Sequence, residues 1–77
     1  MDIKVMVHHH PGFADSLWIY RNGTLSSSMN IDRTYDALYW MKRFEMTRCE
    51  TVISESGEKF DIYKNDAFHR LCAVPIA

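Results

Sequence analysis

Cysteine, glycine and proline are all scarce in this chain: two, three and two among 77 residues. Two cysteines, Cys49 and Cys72, are too few for the disulfide framework that holds many small secreted domains together. Both are expected to be reduced and buried as small apolar side chains. The three glycines, Gly12, Gly23 and Gly57, stand apart, so no glycine-rich loop exists to cradle a phosphate. No apolar run approaches the ~20 residues of a membrane span. The start, Met1-Asp2-Ile3-Lys4, lacks the basic region and apolar stretch of a secretory leader. The expectation is a cytoplasmic protein of one domain, residues 1–77. An excess of positive charge is missing too. A formal net charge of −1 argues against a generic nucleic-acid binder, whose affinity comes mainly from neutralising phosphates.

What the chain does have is apolar and aromatic material. Hydrophobic residues make up 47% and aromatics 13%, enough for a packed core and too much for a disordered chain. Ile3-Lys4-Val5-Met6-Val7 alternates and is rich in β-branched residues, so it reads as a strand that runs through His8-His9-His10 into a Pro11-Gly12 turn. A second strand covers about Ser16 to Arg21. Asn22-Gly23 follows, the strongest short-range hairpin signal, and turns the chain into Thr24–Met29. A two-residue turn sets Arg21 opposite Thr24, Tyr20 opposite Leu25, Ile19 opposite Ser26 and Trp18 opposite Ser27. Trp18, Tyr20 and Leu25 then share one face, and Leu17 and Ile19 the other.

The next segment has helical periodicity. Asp32 is an expected N-cap, and Ala37, Leu38, Met41, Phe44 and Arg48 recur at the spacing of one helix face turned to the sheet. The predicted helix runs from Asp32 to Arg48. A second hairpin follows, Thr51–Ser54 and Lys59–Tyr63 about Glu55-Ser56-Gly57, with Phe60 and Ile62 inward. Residues 67–76 fit either a short helix or a last strand. The strand is the favoured reading, because the segment ends Ala-Val-Pro-Ile and Phe60–Tyr63 needs a partner. The expected fold class is α+β: a two-layer antiparallel sheet of five or six strands, βββ-α-ββ(β), with one helix packed on a face.

Chemistry-bearing clusters are sparse. His8 and His10 would project to one side of a strand, a spacing that suits two metal ligands, with His69 or a cysteine as a third. The plainer reading is an exposed strand end, and no cofactor or metal is assigned. Ser26-Ser27-Ser28 lacks a nucleophile elbow, and His69 and Cys72 pair only if their segment is helical. The chain is read as a non-enzyme.

Surfaces carry more. Trp18, Tyr20, Tyr39 and Trp40, with Arg21, Lys42 and Arg43, are the residue types enriched at interface hot spots. Residues 49–66 are acidic, with Glu50, Glu55, Glu58, Asp61 and Asp66 against Lys59 and Lys64. The stretch Leu17-Trp18-Ile19-Tyr20-Arg21-Asn22-Gly23-Thr24, leading through one helix to further strands, resembles in layout some small α+β anti-CRISPR proteins and other phage-encoded host-takeover proteins. The resemblance implies inhibition by steric binding, with Glu50, Glu55, Glu58 and Asp61 imitating nucleic acid. The expected function is therefore a protein-binding module, a small inhibitor of a host or defence-system protein. The expected contact residues are Trp18, Tyr20, Arg21, Tyr39, Trp40, Lys42, Arg43, Glu55 and Glu58. Two alternatives stand beside it: a small nucleic-acid-binding domain using Arg33, Lys42, Arg43 and Arg48 with stacking aromatics, and a histidine metal-binding protein. A membrane partner is not expected, and a homodimer completing an open sheet edge is a further option.

Overall fold

The computed structural model describes residues 2–33, 45–65, 67 and 70–76. Six strands form one sheet: β1 Ile3–His8, β2 Ser16–Arg21, β3 Thr24–Ile31, β4 Thr47–Ile53, β5 Lys59–Asn65 and β6 Arg70–Pro75. Their order across the sheet is β1-β2-β3-β6-β5-β4. Two antiparallel meanders, β1-β2-β3 and β4-β5-β6, thus lie side by side. They are joined by a short parallel seam, Asn30 beside Cys72 and Ile31 beside Ala73. The Asp32 N–H extends it by donating to the Ala73 carbonyl at 2.8 Å.

Turn chemistry accounts for the hairpins. Asn22 and Gly23 both have positive φ, 53° and 80°, the signature of the type I′ turn whose twist matches a hairpin. At the second hairpin the Gly57 N–H donates to the Ser54 carbonyl, the Ser54 N–H donates to the Glu58 carbonyl, and Gly57 has φ 89°. That is a three-residue loop closed by a left-handed glycine. Pro11-Gly12 closes with the Phe13 N–H on the His10 carbonyl, Pro fixing the second turn position and Gly12 the third.

The fold class is corrected by this architecture. The described part of the chain is all-β, a curled half-barrel, and no helix packs on it among the described residues. Most of the predicted helix, residues 34–44, lies outside the described residues, and with it Ala37, Leu38, Tyr39, Trp40, Met41, Lys42, Arg43 and Phe44. Its predicted last turn is contradicted. Glu45 has φ 51°, and Thr47 and Arg48 pair with Lys64 and Tyr63 in β4. Arg48 is exposed rather than turned to a core, and β4 begins four residues before the strand expected at Thr51. Among the described residues, the apolar inner face is enclosed by the curl of the sheet. Its cluster takes Val5, Leu17, Ile19, Met29, Ile31, Val52, Phe60, Ile62 and Ala73, at least one residue from every strand. The Glu55 N–H, just beyond β4, donates to the Val5 carbonyl of β1 at 3.0 Å, so the two ends of the sheet meet.

Two bulges accompany the curl. Ser26 is the extra residue of β3, because the register shifts between Ile19 and Tyr20. Ile19 therefore faces Ser27 and Trp18 faces Ser28, one residue off the expected pairing, while Tyr20–Leu25 and Arg21–Thr24 stand. Cys49 is the extra residue of β4. Its thiol is exposed, against the expectation of burial, because a bulged residue is left out of the ladder. Cys72 is buried on β6 with Met46, Tyr63 and Val74, a second cluster on the other face of the sheet.

Candidate partner-binding face

The pleat assigns each side chain of the first meander to a face. Leu17 and Ile19 are fully buried inside the curl. Trp18 and Tyr20 lie on the outer face and are half-buried. Cross-strand pairing sets Met6 and Ser28 beside Trp18, and Lys4 and Leu25 beside Tyr20. Leu25 is exposed. His8 ends the face, its ring centroid 4.4 Å from that of Trp18. Among the described strands, the main contacts of β2 are with its sheet neighbours β1 and β3.

Beside Tyr20 the face runs into a groove of ≈ 530 Å³ at the edge of β1. Met6, Tyr20 and Gly23 line it together with Asp2 and Lys4, and Ile3 and Glu55 complete it at the strand edge. Lys4 Nζ lies 3.7 Å from Glu55 Oε1, both side chains exposed. The Asp2 backbone is tied to the hairpin turn, its carbonyl accepting the Asn22 N–H and its own N–H reaching Asn22 Oδ1 at 3.4 Å.

Charged groups close the two ends of the half-barrel. At one end Arg21 donates to Glu50 Oε1 at 2.7 Å. At the other, Arg33 forks onto Glu58, with Nη1 2.6 Å from Oε2 and Nη2 3.3 Å from Oε1, and also contacts Asp15 Oδ2 at 3.3 Å. Its guanidinium lies 6.0 Å from the centre of the Phe60 ring. The hydrogen bond to Glu58 raises the Arg33 pKa, although partial burial works against it. Desolvation would raise the Asp15 pKa, but hydrogen bonds and charge from His9 and Arg33 hold it below the ordinary carboxylate value. These contacts join β2, β3 and the β4–β5 turn.

No family model, curated protein or solved structure matches this chain.

The expected contact residues separate accordingly. Trp18 and Tyr20 share the outer face, and Glu55 reaches the groove beside it. Arg21 does not join them: an odd position in β2, it turns to the inner side and pairs with Glu50. Glu58 is held by Arg33 at the far end. Tyr39, Trp40, Lys42 and Arg43 lie outside the described residues. The acidic array expected to imitate nucleic acid is engaged internally: Glu50 by Arg21, Glu55 by Lys4, Glu58 by Arg33, and Asp61 by the Thr51 hydroxyl at 2.6 Å. Arg33 and Arg48, two of the four cations expected along one basic helix, stand instead in an ion-pair cluster and on an edge strand. The histidine run splits three ways. His8 stacks on Trp18, His9 Nδ1 lies 3.0 Å from Asp15, and His10 Nε2 lies 3.1 Å from the Ser16 hydroxyl. His69 is outside the described residues.

Sequence reasoning missed Asp2, Lys4 and Met6 as neighbours of Tyr20. The pairing of β1 with β2 places them, but seven residues, 9–15, connect those strands, and a loop of that length fixes no register.

Proposed function

We propose that this protein is a non-enzymatic protein-binding module that acts by covering a surface of its partner, as a small inhibitor of a host or defence protein would. One observation carries the reading. Trp18 and Tyr20, flanked by Met6 and Leu25, sit on the outer face of the first meander, opposite the inner cluster to which Leu17 and Ile19 belong. The inner cluster does not include these aromatics, and they are grouped on one face beside a groove. Tryptophan and tyrosine in that setting are the residue types that dominate binding energy at protein interfaces. A steric inhibitor needs only such a face, since occupation of the partner's surface is the whole of its action.

The test is affinity capture from the native host's lysate with the wild-type chain and with Trp18→Ala and Tyr20→Ala, each first verified as folded by circular dichroism and thermal melting. The captured partner is then purified and titrated. An anchor truncated to alanine should lose more than ~1 kcal/mol of binding, about fivefold or more in Kd. Unchanged affinity of both folded variants would remove this face from the proposal. Capture of nucleic acid whose binding falls steeply with salt would replace the reading with the nucleic-acid alternative.

A further inference from the structure

The geometry points to the groove at the β1 edge as a receptor for one arginine side chain, presented by the protein partner; this rests on the protein-binding reading above. Three features of the groove select that chemistry. Asp2 and Glu55 bring two carboxylates against the single ammonium of Lys4, and that ammonium already lies 3.7 Å from Glu55. Among the described residues the Asp2 carboxylate has no ion-pair partner, so their side chains give the groove two carboxylates to one ammonium. Met6 and Tyr20 add a thioether and a ring face beside it. A guanidinium stacks on such a ring and forks onto a carboxylate, while its methylene stem lies along apolar surface.

The edge also decides how the partner enters. A partner strand could add to β1 only through outward-facing backbone groups, and the carbonyl of Val5, in the middle of the strand, already accepts the Glu55 N–H at 3.0 Å. Insertion of a side chain from above the outer face needs none of those groups. A groove of ≈ 530 Å³ is larger than one side chain and leaves space for the backbone that carries it. Gly23 offers no obstruction, because a Cβ built there would meet nothing within 4 Å.

The test is an NMR titration of the isotope-labelled full chain with Nα-acetyl-arginine amide, and in parallel with the uncharged Nα-acetyl-citrulline amide. The arginine probe should shift the amides of Lys4, Met6, Tyr20 and Gly23 with a Kd on the order of millimolar, and the citrulline probe should not. Asp2→Asn removes an exposed charge that no side-chain contact among the described residues uses, and it should weaken the arginine probe by about two- to fivefold. Tyr20→Leu keeps an apolar side chain, removes the ring, and should weaken it as well. Equal shifts from both probes, or shifts that Asp2→Asn leaves unchanged, would overturn the proposal. If Trp18→Ala abolishes partner capture while the arginine probe never binds, the binding face stands and the arginine receptor falls. If Asp2→Asn instead abolishes a concentration-dependent self-association, the cation belongs to a second copy, and the choice of a foreign partner is overturned.

Discussion

The two meanders have the same plan and different cover. Each is three antiparallel strands, and they meet at the parallel seam between β3 and β6. In the first, burial alternates along β2: Leu17 and Ile19 are closed off, and Trp18 and Tyr20 remain half-open. In the second, burial runs on through both faces of the inner strands. Phe60 and Ile62 point into the curl, Tyr63 points away from it, and all three are buried, as are Cys72, Ala73 and Val74 in succession. Sequence follows this difference. Cys72-Ala73-Val74 is a continuous small apolar run, as a strand covered on both sides requires, whereas Ser26-Ser27-Ser28 lines a strand with one side in water. The second meander is thus the better-held part of the fold, and the first leaves one face of β2 half-open.

Paired truncations would break this comparison most directly. Phe60 is fully buried and touches the core contributed by both meanders, so Phe60→Ala should destabilise by about 3–5 kcal/mol in urea denaturation. Trp18→Ala, on the half-open face, should cost about 1–2 kcal/mol despite the larger side chain. Equal losses would mean that the outer face of the first meander is as much core as the interior, and the binding reading would lose its basis.

The two cysteines sharpen the comparison within the second meander, because cover should be confined to its inner strands. Burial first, and the neighbouring Asp32 carboxylate second, push the Cys72 thiol up to about 11. Cys49 is exposed on the bulge of edge strand β4. Only the thiolate reacts, so at pH 8 iodoacetamide should modify Cys49 on the order of 100-fold faster than Cys72 in the folded chain. Mass spectrometry of the time course checks it, and comparable rates would place β6 at the surface.

The first hairpin and the inward pair Phe60 and Ile62 are legible because each depends on local grammar. Asn-Gly selects its turn, and alternation selects a face. The last strand is legible too, since β5 needs a neighbour and Leu71–Val74 supplies one. The bulge at Ser26 is not, because three consecutive serines give the ladder no preference for which one is extra. The curl is also hidden. It depends on where two bulges fall and on a seam between strands about forty residues apart, and local periodicity carries neither. Periodicity instead ran on through Glu45 into Thr47 and Arg48, where pairing with β5 overrides it. The proposed binding face is half legible for the same reason: the tight turn places Trp18 and Tyr20, and the long β1–β2 loop hides Asp2, Lys4 and Met6.

The smallest expected effect concerns the clasp that ties the meanders together. Arg33, at the end of β3, holds Glu58 of the β4–β5 turn and Asp15 ahead of β2. Its side chain is 40% exposed, so water and salt screen these pairs strongly. Arg33→Met keeps the apolar stem beside Phe60 and removes the charge, and should cost less than about 1 kcal/mol, less still in high salt. Acid acts on the same contacts from the other side. The Asp15 pKa is lower in the folded chain than its ordinary value of 3.8, so the folded state binds fewer protons than the unfolded chain in that range. Its contribution is therefore fully present above pH 3.8 and is lost as the pH falls through the lower folded value. Carboxyl NMR should find Asp15 titrating below 3.8 in the wild type and closer to it in Arg33→Met, because one of its two cationic neighbours is gone. A midpoint that Arg33→Met does not move would assign the depression to His9 alone, and the clasp would then join β3 to the second meander without reaching β2.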